Sequence, residues 1–228
     1  MKMQVLDWLG FEFIELAAEA EPTGTPEQQA RTLFDRFRTA LAGHGLTIDD
    51  TVRSRLFGID RPARDEASNV RAEVLSGAAR AATSSYIAPK LFASKAAVAM
   101  DLIAVKPRAG LEKKIRENDP PRTPPRYLTY GPLMVLSGQT AVLPNLEIQV
   151  TTNILPRITE YLAEAGSGWD QVAQVSCYLH AEETADHMRA LFRKMVPVFP
   201  PRFEVRFVEG YSERGKRVEI EVTATRRL

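Results

Sequence analysis

The sequence is poor in cysteine, histidine and net charge, and each shortage removes a class of explanation. A single cysteine, Cys177, among 228 residues can neither close an intrachain disulfide nor supply a cysteine-based zinc site, so a reducing, cytoplasmic setting is expected. The three histidines, His44, His180 and His187, stand at no metal-ligand spacing, and neither a metal nor a cofactor is expected. Lys+Arg (30) against Asp+Glu (29) leaves a formal charge of +1, too small a field to draw in nucleic acid or an anionic membrane. Any anion site must therefore be local. The most apolar run, 93–105, is interrupted by Lys95 and Asp101, so no membrane span is expected. The first ten residues carry Asp7 and lack the basic start and long apolar stretch of a secretion signal.

What remains is an ordinary globular composition, 44% hydrophobic and 26% charged, with enough material for a substantial core. Its main feature is a repeat. Leu41, Ala42, Gly43, His44, Gly45, Ile48 and Asp49 are echoed by Leu162, Ala163, Glu164, Ala165, Gly166, Trp169 and Asp170, each 121 positions later. Val98, Ala99, Met100, Asp101 and Ala104 match Val218, Glu219, Ile220, Glu221 and Ala224 at an offset of 120. Two copies of one fold follow, residues 1–107 and 123–228. Between them, residues 108–122 carry charges and Pro120 and Pro121, and read as a stiff, solvated linker.

The second copy shows its elements more clearly. Leu133 to Leu136 is an apolar strand running into Ser137 and Gly138. Ile154, Ile158, Tyr161, Leu162 and Ala165 recur at helical spacing, with Pro156 marking a helix start nearby. Val172 to Leu179 is a strand, and Thr184 is placed to cap a helix with Met188, Leu191, Phe192 and Met195 on its buried stripe. Phe203, Val205 and Phe207 alternate with Glu204 and Arg206, and Val218, Ile220 and Val222 alternate with Glu219 and Glu221. The order of strand pair, helix, strand, helix, strand pair predicts an α+β fold with two helices on one face of a sheet. The other face calls for cover, which predicts an oligomer.

These residues, with Ser137-Gly138-Gln139, Phe199-Pro200-Pro201-Arg202 and the closing Val218-Glu219-Ile220-Glu221-Val222-Thr223-Ala224, resemble the Rid family, the YjgF-like reactive intermediate deaminases. The likeness covers about 100 residues of the second copy. It implies a chorismate-mutase-like fold in each copy, with a mixed β-sheet, and assembly as a trimer with ligand sites in clefts between neighbouring domains. It also implies hydrolysis of an enamine or imine bearing a carboxylate, with an intermediate of specialised biosynthesis as one candidate. Arg202 would grip the carboxylate, since a guanidinium offers a planar, bidentate fork. Glu219 would hold the water, and the backbone carbonyl of Glu204 would orient it. Ser137, Gly138 and Tyr127 would line the pocket, with Tyr130 competing for the tyrosine position. Ala185 and Phe203 depart from the family pattern and leave the substrate open.

The first copy lacks both chemical groups, because Thr83 aligns with Arg202 and Ala99 with Glu219. That makes it a degenerate domain, and it keeps open a non-catalytic, chaperone-like role that binds small carboxylates. Cys177 reads as a small buried hydrophobe, because no histidine is placed to activate it.

Overall fold

The computed structural model describes residues 1–227, which divide into two compact units, Met1–Leu111 and the residues from Glu112 onward. In the first unit, β1 (Lys2–Trp8) and β2 (Phe11–Glu19) form an antiparallel hairpin. The turn is made by Leu9 and Gly10, both at positive φ, the backbone that a tight hairpin requires. Helix α1 (Pro26–Ala42) starts at Thr25, whose hydroxyl accepts from Gln28 N while the Gln28 side chain accepts from Thr25 N. Strand β3 (Thr51–Gly58), helix α2 (Arg61–Val74), β4 (Ala82–Ile87) and β5 (Val98–Val105) follow. The strand order is β1-β2-β5-β3-β4, with β3 and β4 parallel across the α2 crossover. Phe34, Phe37, Leu33 and Leu41 of α1 are fully buried.

The second unit begins inside the segment read as a linker. Residues 113–116 form β6 (Lys113–Arg116), paired antiparallel with β7 (Tyr127–Tyr130). The charged side chains kept this segment from reading as a strand, although the pairing is made by its backbone. Then come β8 (Leu133–Leu136), α3 (Leu146–Gln149), a π-helical turn at Val150–Ile154, α4 (Leu155–Glu164) and β9 (Val172–His180). Helix α5 (Ala185–Met195), β10 (Arg202–Val208), the short β11 (Gly210–Tyr211) and β12 (Val218–Thr225) complete it. The sheet order is β10-β9-β12-β8-β7-β6, again with one parallel pair, β9 and β10. The architecture is α+β, a mixed sheet in each half, with the helices of the second half on one face.

Helices α3 and α4 are the counterpart of α1, and they differ by one residue. The caps Thr25 and Asn145 are 120 positions apart, whereas Leu41 and Leu162 are 121 apart. The extra residue is taken up in the π turn, which ends two residues before Pro156, a residue without the N–H that a regular helix would use there. Thr184 caps α5 as its sequence position predicts, accepting from His187 N. The core between helices and sheet holds Ile154, Ile158, Leu191, Phe192, Ile220 and Val222, and also Cys177, whose thiol burial pushes well up. Such a cysteine packs as a hydrophobe.

Candidate functional site

Side chains alternate across a strand, so the residues of β9, β10 and β12 that are absent from the helix-side core must share the opposite face. The ladder register arranges them in rows. Arg202 stands beside Gln174, which stands beside Thr223. Glu204 stands beside Ser176 and then Glu221. Arg206 stands beside Tyr178 and then Glu219. Glu219 and Glu221 are buried on this face, while Arg202 is exposed at the edge strand. Glu204 is half-exposed, with Arg206 Nη2 at 3.5 Å from its carboxylate.

The register also separates the two groups expected to act together. Arg202 and Glu219 lie four residues apart along the strands and two strands apart across them. At ~3.3 Å per residue and ~4.8 Å per strand, their Cα atoms are about 16 Å apart. Within this unit one small molecule reaches both only if the two side chains extend toward each other along the face.

Glu219 has a different close neighbour. A Cβ built on Gly138 would lie 1.9 Å from Glu219 Oε1, so the carboxylate fills the space a side chain at 138 would need. Only glycine fits there. The local backbone is opened by a bulge: from Val135, paired with Thr223, to Gln139, paired with Ile220, four steps on one strand span three on the other. The Gln139 side-chain amide donates to Ser137 O at 2.9 Å and closes the bulge on itself. Ser137 is fully buried beneath it, with its N–H donating to Arg126 O.

The two tyrosines fall on opposite faces. Tyr127 packs on the helix side, its ring 6.2 Å from that of Tyr161, and burial together with nearby Glu164 holds its phenol above the usual range. It is therefore not brought to the face of Glu219. Tyr130, three residues on, is turned to that face by alternation, although it stands four strands from β10. Among the described residues no group of three or more His, Cys, Asp or Glu could hold a metal ion. No helix of the described residues is long and apolar enough to cross a membrane.

In the first unit the ladder corrects one alignment. Ala82 faces Arg53 as Arg202 faces Gln174, so Ala82, not Thr83, occupies the position of Arg202. Thr83 shares its face with Ser85, which accepts a hydrogen bond from Arg64 of α2, and so lies on the helix side. The rows of this face read Ala82–Arg53–Ile103, Ser84–Arg55–Asp101 and Tyr86–Phe57–Ala99. The cations have moved to the inner strand, and Arg55 approaches Asp101 at 4.0 Å.

A cleft of about 390 Å³ in the second unit escaped sequence reading altogether. Gly138, Gln139 and Thr140 form part of its wall, and Arg122, Arg126, Arg157 and Lys216 converge on it from the β6–β7 loop, α4 and the β11–β12 loop. Arg157 is the anchor. Its guanidinium donates to Thr140 O at 3.1 Å and to Asn153 Oδ1 in the π turn. Arg126 lies over the Tyr161 ring at 5.3 Å and 3.6 Å from Glu164. These cations are scattered over nearly a hundred positions, and only the fold gathers them.

No protein-family model matches the sequence, and no curated protein matches it significantly. Solved structures do. A chorismatase structure superposes with a TM-score of 0.67 over 97% of this chain and 79% of that one, at 14% identity. Rv2704 from Mycobacterium tuberculosis, described as a member of the YjgF/YER057c/UK114 family, matches 50% of this chain and 99% of its own at 21% identity, TM-score 0.43. NMB1025 from Neisseria meningitidis, of the YjgF family, matches 51% of this chain and 97% of its own at 23% identity, TM-score 0.43. The chain thus has the fold of the chorismatase structure, with one parallel and otherwise antiparallel strand pairing repeated in each half.

Proposed function

We propose, on the premise of this chorismatase-type fold, that the protein is a hydrolase of the enamine or imine deaminase type acting on a small substrate that bears a carboxylate. The observation that carries the reading is Glu219, a carboxylate buried at 6% exposure and seated against Gly138 at a strand bulge. A carboxylate in such a place is positioned to accept a proton from water. The water oxygen then bonds to the imine carbon as the proton passes to nitrogen, giving a carbinolamine; its hydroxyl proton passes to the same nitrogen, the C–N bond breaks, and a carbonyl product and ammonia are released. Arg202 binds the carboxylate through a charge-assisted fork. Across this 16 Å ladder separation our reading requires that Arg202 and the Glu204 carbonyl serve the Glu219 site of another copy, which makes an oligomer, a trimer of chains on this reading, part of the catalytic unit.

That requirement supplies the test. Arg202→Ala and Glu219→Gln are each expected to lower kcat/KM for a carboxylated imine by about 30-fold or more, the loss of ~2–5 kcal/mol for a desolvated charge contact. Glu219→Gln should act on kcat more than on KM. Mixing the two inactive variants should restore part of the activity, because one site in the mixture then pairs an intact Arg202 with an intact Glu219. Failure of the mixture to regain activity after subunit exchange would break the shared-site reading. Binding of the carboxylate by wild type without turnover would favour the alternative, a non-catalytic, chaperone-like binding protein.

A further inference from the structure

We infer that β1 (Lys2–Trp8), the outer strand of the first unit, is an interface for a second copy of this chain, the two β1 strands pairing antiparallel about a two-fold axis at Gln4. The two units differ at this edge. By sheet order β1 of the first unit corresponds to β7 of the second, and the outer side of β7 is covered by β6. Among the described residues no strand covers β1. The edges of the second sheet carry charge, which keeps foreign strands away: Lys113, Lys114 and Arg116 on β6, and Arg202, Glu204 and Arg206 on β10. In β1 the middle residues, Met3, Gln4, Val5 and Leu6, include no charge and no proline. Its register with β2 is unbroken from Lys2 to Trp8, without a bulge to twist the edge away. Met3 and Val5 are half exposed, at 50% and 48%. An apolar edge of seven residues with none of these protections is a template for another strand.

The hairpin fixes which backbone groups are offered. Trp8 and Phe11 flank the two-residue turn of Leu9 and Gly10 and are therefore a hydrogen-bonded pair. Bonding alternates along the ladder, so Lys2, Gln4, Leu6 and Trp8 bond to β2, whereas the N–H and C=O groups of Met3, Val5 and Asp7 point outward. The side chains identify the partner as the same strand. Lys2 stands near one end and Asp7 near the other, so a parallel second copy would set like charge beside like, and an antiparallel one brings opposite charges to each end. A two-fold axis normal to the sheet keeps each face with itself, so odd residues meet odd residues. With the axis at Gln4, residues 1–7 all find opposites, and Met3 faces Val5 of the second copy at two symmetric positions. An axis at Val5 would set Met3 against Asp7, and an axis at Met3 would leave residues 6–8 unpaired. Only the Gln4 axis joins the exposed apolar residues of both copies into one patch over the full strand.

Crosslinking reads this register directly. On the axis the two Gln4 residues form a non-hydrogen-bonded pair with Cα atoms ~4.5 Å apart, within disulfide reach. Gln4→Cys, oxidised with copper phenanthroline, is therefore expected to give a disulfide-linked dimer in a yield about tenfold or more above that of Lys2→Cys or Val5→Cys, whose copies stand out of step. The native Cys177 is buried and stays out of the reaction. Val5→Lys places two cations in the patch at a position already half exposed, so it should halve the sedimenting mass at micromolar concentration and leave the circular dichroism spectrum unchanged. Dimer forming as readily from Val5→Cys as from Gln4→Cys, or a mass that Val5→Lys leaves as it was, would overturn the inference. So would a Gln4→Cys chain that links only to foreign proteins in a cell extract. Failure of Arg202→Ala and Glu219→Gln to complement each other, with the Gln4→Cys link intact, would instead count against the proposed function alone.

Discussion

The two halves of this chain share a ladder and part company at two single residues. In the first unit β2 runs against β5 in unbroken register from Phe13 to Glu19, and α1 is one uninterrupted helix of 17 residues. In the second, one additional residue bulges the strand between Val135 and Gln139, and another widens the helix into a π turn at Val150–Ile154. Both irregularities border the same cleft: Gly138 lies in its wall, and Arg157 follows the π turn into it. The regular half has alanine at the positions of Arg202 and Glu219, while the irregular half has Arg and Glu. Regularity serves packing, and insertions that break it without unfolding the element re-aim side chains. The comparison teaches that the second unit is the one in which single added residues re-aim side chains into a cleft.

The largest expected effects test whether the halves are equivalent as folds. Phe34 of α1 and Phe192 of α5 are each completely buried, and Phe34→Ala and Phe192→Ala should each cost about 3–5 kcal/mol of stability. Hydrogen exchange read peptide by peptide should show the first substitution loosening residues 1–111 and the second residues 112–228. Equal loosening of both units by either variant would break the division into two cores.

Next in size is Gly138→Ala, which asks whether the bulge matters. The new Cβ would meet Glu219 Oε1 at 1.9 Å and its Cδ at 2.6 Å, so the carboxylate must move. Overpacking of this kind costs roughly 1–3 kcal/mol. Turnover should fall at least tenfold, because the displaced group is the proposed proton acceptor. In the regular strand of the first unit, Ala17→Gly should cost only about 0.5–1 kcal/mol and leave turnover within twofold. A Gly138→Ala enzyme of normal rate would remove Glu219 from the mechanism.

The uneven legibility of the sequence has the same physical root. Offsets of 120 and 121 exposed the repeat because packing a sheet under helices constrains residue type at every second or every third to fourth position. The strand at Lys113-Lys114-Ile115-Arg116 was hidden because its pairing uses backbone groups and its side chains are mostly solvated. The alignment of Arg202 with Thr83 slipped by one, to the true match Ala82, because a gap in a loop can be placed at either residue and only hydrogen-bond register decides. Tyr127 and Tyr130 differ by three positions and thus by face, a distinction that needs the strand's start to be known. The cleft of Arg122, Arg126, Arg157 and Lys216 has no spacing at all to read.

The smallest expected effect sharpens the comparison most directly. Thr25 and Asn145 occupy the same capping position in the two units. Each side chain accepts from the backbone N–H three residues on, at 3.3 Å from Gln28 and 2.9 Å from Ile148. Loss of such a cap costs about 1 kcal/mol, so Thr25→Ala and Asn145→Ala should lower stability by similar amounts in thermal melts. Their reach should differ. Thr25 begins a 17-residue helix, in which the loss is absorbed by fraying of the first turn. Asn145 begins a helix of only four residues, Leu146–Gln149, that leads straight into the π turn holding Asn153, the partner of Arg157. Fraying there loosens the acceptor that aims the guanidinium. Asn145→Ala should therefore speed hydrogen exchange across residues 146–154 severalfold, while Thr25→Ala loosens only the first turn of α1. Unchanged exchange across residues 146–154 in Asn145→Ala would mean that the π turn holds its shape without its cap, and that the extra residue, not the capped helix before it, sets the direction of Arg157.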